Sequence, residues 1–542
     1  MLVAEAVGRA LPKLGVEVVF GLMGSGNLTV TNAMRDAGAR FYAARHEGGA
    51  ICMADGYGRV SGRLAACSVH QGPGLTNTIT GLTEAAKSRT PLIVLAPETP
   101  SAALRSNFRI DQVGLVEAVG ATAERVHGPA TALQDVARAV RRARVERRAV
   151  VLMLPLDVQA AECLDGAPPA GGPAFERPAP AAAAVEAVAD VLAQSRRPAL
   201  LAGRGAVLAG AGPALRALGE RCGALLTTSA VANGLFAGDP YDLGIAGAFA
   251  SPLAARLLGE ADTVVAFGAS LNQWTTKRGT LPAPGATVVQ VDLDGEAIAA
   301  HRPVDLGVVG DAAATADALL ATVSDGAGAR TPELAAEIAA HRWRDEPFVA
   351  STAPGMVDPR GLTIALDDLL PEQRTVVVDS GAFMGWPSMY LRVPDAAGFV
   401  FPQAFQCVGL ALGNAIGAAI ARPDRLTVAA VGDGGALLAL PELETLGRLG
   451  LPILVVIYDD AAYGAEVHHF APMGEAVDLA QFPDTDFAAL AEAAGCRGLT
   501  ARSVDDLEGL RAWLDTRDRP CVLDAKVDPS VCGEWLEEAF RH

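Results

Sequence analysis

Short runs of Val, Leu and Ile recur along this chain and alternate with longer, Ala-rich amphipathic segments. The runs have the length of strands and are nearly continuous in apolar residues. Strands of that kind are buried on both faces, as in parallel sheets covered by crossover helices. The pattern therefore predicts an α/β protein with doubly wound parallel sheets. The predicted strands are VEVVFG, LAACSV, LIVLA, VVLMLP, PALLAG, DTVVAFG, ATVVQVD, TVVVDSG, LTVAAVG, PILVVIY and CVLDAKV.

Two stretches rich in Pro, Ala and Gly divide the chain into three segments of similar size. Residues 163–187 lack a sustained apolar period, and residues 324–337 repeat this signal more weakly. The 542 residues are too many for one core, at a prior of roughly 150 residues per domain. We expect three domains, at residues 1–165, 185–325 and 350–535.

The composition argues against several classes of partner and site. The formal net charge of −18 disfavours non-specific attraction to nucleic acid or to an anionic membrane. Eight cysteines without Cys-x-x-Cys spacing indicate neither a zinc site nor a disulfide framework. No apolar run approaches the roughly 20 residues of a membrane span. The amino terminus has no secretion signal, so we expect a cytoplasmic protein.

Acidic residues stand at the carboxyl ends of two predicted strands. LTVAAV ends at GDGG, residues 432–435, and PILVVIY ends at Asp459-Asp460, with one predicted helix between them. In a parallel sheet both groups lie at the edge where ligands bind. The glycines let the backbone approach an anion, and the next helix points its amino end there. Carboxylates beside a phosphate-binding turn need a hard cation, and Mg²⁺ fits.

This segment, GDGG followed by ELETLGRLGLPILVVIYDDAAYG, resembles the diphosphate and metal motif of thiamine-diphosphate-dependent enzymes. The resemblance implies that Asp433 and Asp460 bind Mg²⁺ through their side chains and Ala462 through its carbonyl oxygen. The family usually has an Asn-Asn pair where this chain has Asp459-Asp460. Aspartate still offers a hard oxygen, although it brings more negative charge near the diphosphate.

A second stretch supports the same family. AARHEGGAICMADGYGRVSGR, followed by LAACSVHQGPGLTNTITGLTEAAKSRTPLIVLA, resembles the pyrimidine-binding domain of the acetohydroxyacid (acetolactate) synthase branch. In this resemblance Glu47 corresponds to the activating glutamate. A carboxyl group that shares a proton with N1′ of the aminopyrimidine favours the imino tautomer, which then deprotonates the thiazolium C2 to the ylid.

The resemblance also assigns the other cofactor contacts. In FPQAFQCVGLALGNAIGAA, the Gln406 carbonyl would accept from the aminopyrimidine and the Val408 N–H would donate to it. The Val408 side chain would hold the cofactor in its bent form. The glycine of VVVDSG matches a turn on the phosphate side. The predicted cofactor-binding residues are Glu47, Gly381, Gln406, Val408, Gly432, Gly434, Gly435 and Tyr463.

Three further residues bear on the reaction. His70 stands where benzoylformate decarboxylases carry a histidine and acetohydroxyacid synthases usually carry a small residue. Its imidazole suits proton transfer near neutral pH. Ser25 corresponds to a serine of the decarboxylase pocket, and Glu466 to a glutamate of pyruvate-type decarboxylases that handles the departing carboxylate. With Glu47, these are the predicted catalytic residues.

The residues after Tyr463 bear on the size of the substrate. Ala465 is small where related enzymes often have a bulkier side chain, so a larger donor or acceptor would fit. Of His468 and His469, we expect at most one to face the site.

The leading hypothesis is a thiamine-diphosphate- and Mg²⁺-dependent carboligase, a transferase resembling acetolactate synthase. It would decarboxylate a 2-oxo acid and join the remaining fragment to a carbonyl acceptor. One alternative is a non-ligating 2-oxo acid decarboxylase, a lyase, favoured by His70 and Glu466. The other is an inactive relative that only binds the cofactor.

The family resemblance also bears on FAD and on assembly. Acetohydroxyacid synthases hold FAD in the middle domain, but LGIAGAFAS and AFGASLNQWTTKRG do not reproduce its binding pattern. FAD is therefore compatible with this chain but not predicted. The resemblance implies a homodimer or homotetramer, because Glu47 of one chain must meet the metal site of another.

Overall fold

The computed structural model describes residues 1–164, 166, 176–326 and 328–540. Within these residues the chain forms three six-stranded sheets. Every neighbouring pair of strands in each sheet is parallel. The predicted class, α/β with three doubly wound parallel sheets, is confirmed. The domain bounds stay predictions, and part of the predicted linker at 163–187 lies outside the described residues.

The strands follow one another along the chain, six to a sheet. The first sheet contains β1 Val18–Gly21, β2 Arg40–Ala43, β3 Ala65–Ser68, β4 Leu92–Glu98, β5 Thr122–Arg125 and β6 Ala149–Pro155. The second contains β7 Pro198–Ala202, β8 Leu225–Thr228, β9 Asp242–Ile245, β10 Thr263–Phe267, β11 Thr287–Asp292 and β12 Leu306–Val309. The third contains β13 Arg374–Val378, β14 Phe399–Val400, β15 Leu426–Gly432, β16 Ile453–Asp459, β17 Arg497–Ala501 and β18 Cys521–Lys526.

The spatial order of the strands shows where, in each sheet, the direction in which successive strands are added reverses. The orders are β2-β1-β3-β4-β6-β5, β12-β11-β10-β7-β8-β9 and β14-β13-β15-β16-β18-β17. In such sheets ligands bind beyond the carboxyl ends of the strands, near the point of reversal.

Helices connect the strands and cover both faces of the sheets. In chain order, α1 to α23 are Val3–Lys13, Leu28–Asp36, Glu47–Ser61, Pro73–Thr76, Ile79–Lys87, Gln112–Ala118, Ala132–Val145, Leu156–Gln159, Ala182–Gln194, Arg204–Ala209, Gly212–Cys222, Pro252–Gly259, Ala312–Thr322, Pro332–Ala340, Pro359–Leu369, Gly385–Tyr390, Ala411–Ala421, Asp433–Leu438, Pro441–Leu449, Gly464–Phe470, Phe487–Ala493, Glu508–Thr516 and Trp535–Phe540. None of the helices in the described part of the chain combines the length and apolar character that crossing a membrane requires.

The first and third sheets share one hydrophobic core through helices α3 and α17. Both helices are rich in small residues, so their backbones touch. A Cβ atom added to Gly417 would lie 2.0 Å from the Met53 carbonyl oxygen, and one added to Gly56 would lie 2.1 Å from the Asn414 carbonyl oxygen. This contact ties the helix that begins at Glu47 to the sheet that carries Asp433.

Candidate active site

A cavity of about 1490 Å³ runs along the carboxyl ends of the third sheet and reaches those of the second. Its wall includes the segments that follow β13, β14, β15, β16 and β18. This is the edge at which doubly wound folds bind ligands. The wall contains many of the predicted site residues, namely Gly381, Gln406, Val408, Gly432, Asp433, Gly434, Gly435, Asp460, Ala462, Tyr463 and Glu466.

Asp433 and Asp460 lie together in the cavity wall. Asp433 is the first residue of α18 and Asp460 follows β16. The two segments are adjacent because β15 pairs with β16 from Thr427 to Gly432. Burial, together with the negative charges of Asp460 and Asp459, raises the pKa of Asp433. Burial also raises the pKa of Asp460. Two buried carboxyl groups this close need a shared proton or a cation to be stable.

Asp459 forms an ion pair with Lys526. The Lys526 ammonium at the end of β18 donates to Asp459 at 2.6 Å, and it also contacts Asp524 and Asp484. Asp459 in turn accepts from the Ala461 N–H at 3.0 Å and so shapes the turn before Ala462. The extra charge expected from the Asp-Asp pair is therefore offset in part by Lys526, which Asp459 shares with Asp524 and Asp484. Only the second member of the pair, Asp460, is among the described residues that line the cavity.

The loop that carries the predicted pyrimidine contacts is fixed by Asp379, a residue that the sequence analysis missed. Asp379 is fully buried after β13 and accepts from the N–H groups of Gly409 at 2.9 Å and Leu410 at 3.1 Å. Burial outweighs these bonds and raises the pKa of Asp379 to about 6. A Cβ atom on Gly435 would lie 2.4 Å from the Asp379 carboxylate, so this position needs glycine.

Gln406 has a left-handed backbone with φ of 54°. This conformation is uncommon for a residue other than glycine and, where it is held in place, marks a functional site. Glu84, from the first sheet's helix α5, holds it from the other side, because its carboxylate accepts from the Phe405 N–H at 2.7 Å. The backbone on the two sides of Gln406 is thus held by two buried carboxylates, Glu84 before it and Asp379 after it.

Ser25, Glu47 and His70, here called the first-sheet group, follow the carboxyl ends of the first sheet. None of the three appears among the described residues that line the cavity. Glu47 is half-buried at the start of α3 and accepts from the Asn77 side-chain amide at 3.0 Å. His70 accepts from the Gly26 N–H at 3.4 Å through Nδ1, which leaves Nε2 to carry the proton of a neutral ring. Burial lowers the pKa of His70, against the opposing charge of Glu47.

Helix α20 brings Glu466 and His468 into the cavity wall together with Ala465. Burial lowers the pKa of His468. The neighbouring His469 instead stacks on Phe540 of α23, with ring centroids 4.1 Å apart. One histidine of the pair, His468, therefore lines the cavity, as does Glu466.

Three family models match the chain in order. The N-terminal binding domain of thiamine pyrophosphate enzymes matches residues 1–115, the central domain matches 185–319, and the C-terminal binding domain matches 379–525. A sulfoacetaldehyde acetyltransferase of Rhodobacter capsulatus is 31% identical over 100% of this chain and 96% of its own length. This chain belongs to the thiamine pyrophosphate enzyme family. Thiamine pyrophosphate is the thiamine diphosphate of the sequence analysis, so the predicted family is confirmed.

Other relatives of this thiamine pyrophosphate enzyme carry out different reactions. A probable 2-ketoarginine decarboxylase of Pseudomonas aeruginosa is 32% identical over 93% of this chain and 90% of its own length. The acetolactate synthase large subunit of Parasynechococcus marenigrum is 30% identical over 84% of this chain and 76% of its own length. The predicted function, thiamine-diphosphate-dependent decarboxylation with or without carboligation, agrees with these relatives. The chain is accordingly a transferase or a lyase.

The residues present fit the diphosphate end of this enzyme's cofactor. The cavity wall offers two carboxyl groups that repel each other, and a glycine turn in which side chains would collide with Asp379 or with the ring of Tyr463. Among the described residues, no group of three or more His, Cys, Asp or Glu side chains is arranged to hold a metal ion. The arrangement suits Mg²⁺, which commonly takes one or two carboxylates and completes its shell with phosphate oxygens and water.

Proposed function

We propose that this thiamine pyrophosphate enzyme decarboxylates a 2-oxo acid and transfers the remaining fragment to a carbonyl acceptor. The observation that carries the proposal is the shape of the cavity. It extends beyond Asp433 and Asp460, past Ala465, Glu466 and His468, to helix α23. This leaves room for a second molecule beside the donor. The full-length similarity to an acetyltransferase supports the same reading.

Asp433, Asp460 and the carbonyl of Ala462 would hold Mg²⁺, which would supply positive charge for the diphosphate. Gly381, Gly432, Gly434 and Gly435 would leave space for the diphosphate, and Tyr463 would flank it. The Gln406 carbonyl and the Val408 N–H would bind the aminopyrimidine. When bound, thiamine diphosphate supplies a nucleophilic carbon and an electron sink for the loss of carbon dioxide. FAD stays compatible with the fold and is not predicted.

The acid–base groups come from both sides of the site. Glu47 would share a proton with N1′ of the aminopyrimidine, and its bond from Asn77 holds the carboxylate in place. His70 would donate from Nε2 to the substrate carboxylate or carbonyl, with Ser25 beside it. Glu466 would orient the departing carboxylate from the opposite wall and later carry a proton to the product.

We infer that the first-sheet group and the cavity wall of one site come from different chains. Ser25, Glu47 and His70 do not line the cavity of their own chain, so a homodimer, or a homotetramer built from such dimers, would complete the site. A cytoplasmic location is part of the same proposal.

A non-ligating 2-oxo acid decarboxylase is the second candidate. His70 and Glu466 favour it, because both can deliver a proton to the bound fragment. The similarity to a probable 2-ketoarginine decarboxylase points the same way.

Product analysis by NMR separates the two candidates. The enzyme is incubated with thiamine diphosphate, Mg²⁺ and carbon-labelled pyruvate or 2-ketoarginine, with and without an added aldehyde or 2-oxo acid. A labelled carbon–carbon adduct is the expected result, and release of a labelled aldehyde alone would establish the decarboxylase. The control Glu47→Gln should lose at least about a hundredfold in rate, which is the size of a general acid–base contribution. Full activity in that variant would overturn the assigned role of Glu47.

A further inference from the structure

Glu442 makes a buried contact with the backbone that leads into Glu47. It lies in the first turn of α19 and is 2% exposed. Its carboxylate accepts from the His46 N–H at 3.0 Å and from the Arg45 N–H at 3.3 Å. These N–H groups belong to the two residues immediately before Glu47. Glu442, in a helix beside the third sheet, therefore fixes the backbone just before α3, a helix beside the first sheet.

The first turn of α3 is shaped to receive this carboxylate. A Cβ atom on Gly49 would lie 2.2 Å from Oε1 of Glu442, so only glycine at this position leaves space for the carboxylate. A negative charge is also favourable beside the amino end of a helix of this length. His46 caps the same turn, because its Nδ1 accepts from the Gly48 N–H at 2.9 Å. The two contacts together restrain the direction in which Glu47 leaves the backbone.

The next acidic residue of α19 shows what an ordinary surface carboxylate does here. Glu444 is 44% exposed, and it pairs with Arg45 at 3.6 Å and with Arg448 at 3.2 Å. Exposed pairs of this kind contribute little to stability. Glu442 differs because it is buried and bonds to the backbone N–H groups of a different domain. Glu444 is therefore a matched control on the same helix.

We propose that Glu442 is a positioning residue for Glu47. It is not among the described residues that line the cavity, and it acts by fixing the N–H groups of Arg45 and His46. The inference rests on the proposed function, since the position of Glu47 matters only if its carboxyl group activates the cofactor. Loss of Glu442 should then slow proton removal from the thiazolium C2 and leave the binding of the diphosphate nearly unchanged.

The test compares Glu442→Ala, Glu442→Gln and Glu444→Gln with the unchanged protein. The first measurement is amide hydrogen–deuterium exchange of residues 44–50 in the protein without cofactor. The second is the rate of deuterium exchange at the thiazolium C2 of the bound cofactor, followed by acid quench and NMR. The third is the affinity for thiamine diphosphate at saturating Mg²⁺.

Glu442→Ala should speed amide exchange and slow C2 exchange, each about tenfold, because two bonds to a charged acceptor are lost. The affinity for thiamine diphosphate should change less than about twofold, since the contacts of Asp433 and Asp460 are untouched. Glu442→Gln keeps an acceptor oxygen and should recover most of the C2 exchange. Glu444→Gln should change none of the three measurements.

A wild-type rate of C2 exchange in folded Glu442→Ala would overturn the inference. If that variant does not fold, Gly49→Ala takes its place, because the added Cβ displaces the carboxylate while Glu442 remains. A wild-type C2 rate in Gly49→Ala would overturn the inference equally. The variant Glu47→Gln distinguishes a failure of the inference about Glu442 from a failure of the proposed function. If Glu47→Gln also exchanges C2 at the wild-type rate, the role of Glu47 itself is wrong.

Discussion

Lys526 is the residue that makes an aspartate acceptable at position 459. Both side chains are buried, and the Lys526 ammonium also lies 3.0 Å from the fully buried Asp524. Removing one partner of such a pair leaves a buried charge without compensation. We therefore expect Lys526→Met to lower the free energy of unfolding of the domain that contains it by about 3–5 kcal/mol. Denaturant unfolding monitored by tryptophan fluorescence measures this change in the free energy of unfolding.

Two controls separate the lost charge from lost packing. Lys13 is exposed, and Lys13→Met should change the free energy of unfolding by less than about 0.5 kcal/mol. Adding Asp459→Asn to Lys526→Met removes one of the uncompensated carboxylates and should recover part of the loss. If Lys526→Met were as stable as the unchanged protein, the pairing would not explain the aspartate at 459.

The residues that the sequence analysis found and missed differ in the range of their contacts. Asp433 and Asp460 were predicted because each follows an apolar strand and a glycine turn marks the place. Asp379 carries the same local signal, an aspartate at the end of TVVVDSG, and it could have been found. Glu84 and Glu442 carry no local signal, because each acts on a loop or helix of another domain.

At the scale of elements, interior strands could be predicted and edge strands could not. The unpredicted strands include both edges of every sheet, β2, β5, β9, β12, β14 and β17. An edge strand has one neighbour and meets solvent, so it carries residues such as the exposed Arg40 and loses the continuous apolar run. The seventh unpredicted strand, β8, is interior and buried, but half of its four residues are threonine, so it has no continuous apolar run.

The crossing of α3 and α17 depends on glycine. A Cβ atom on Gly417 would lie 2.0 Å from a backbone oxygen of the other helix, which cannot move aside as a side chain can. Gly417→Ala should therefore destabilise the protein by about 1–3 kcal/mol, the usual cost of overpacking. Thermal unfolding and exchange at the amides of α3 measure the effect.

Gly361 is the matched control for this substitution. It also lies within a helix, α15, but a Cβ atom there would meet nothing within 4 Å. Gly361→Ala should stabilise the protein by about 0.5–1 kcal/mol, because alanine favours the helix more than glycine does. Equal effects of the two substitutions would show that the helix crossing is not the cause.

At the scale of the whole molecule, the chain separates the two halves of its proposed chemistry. The sequence resemblance could assign Glu47 and Asp433 to one site, but of the two only Asp433 is among the described residues that line the cavity of the single chain. The α3–α17 contact holds the first and third sheets in one fixed arrangement. The first-sheet group therefore cannot swing into its own cavity without breaking a shared core.

This separation predicts complementation between two inactive variants. Glu47→Gln damages only the first-sheet group, and Asp433→Asn damages only the cavity wall. A hybrid dimer of the two contains one site with Glu47 and Asp433 both intact and one site that lacks both. By the two-fold symmetry of a dimer, its activity should be about half that of the unchanged dimer. Each parental homodimer should stay at least about a hundredfold below it.

Co-expression with two affinity tags and purification over both supplies the hybrid. The activity per dimer is then compared with that of each parent carrying the same tags. Activity at the parental level in a stable, cofactor-bound hybrid would mean that each site is built within one chain. In that case Glu47 would reach Asp433 within one chain, so the proposed division of the site between two chains would be wrong, while the loss of activity in the Glu47→Gln parent would still support the role of Glu47.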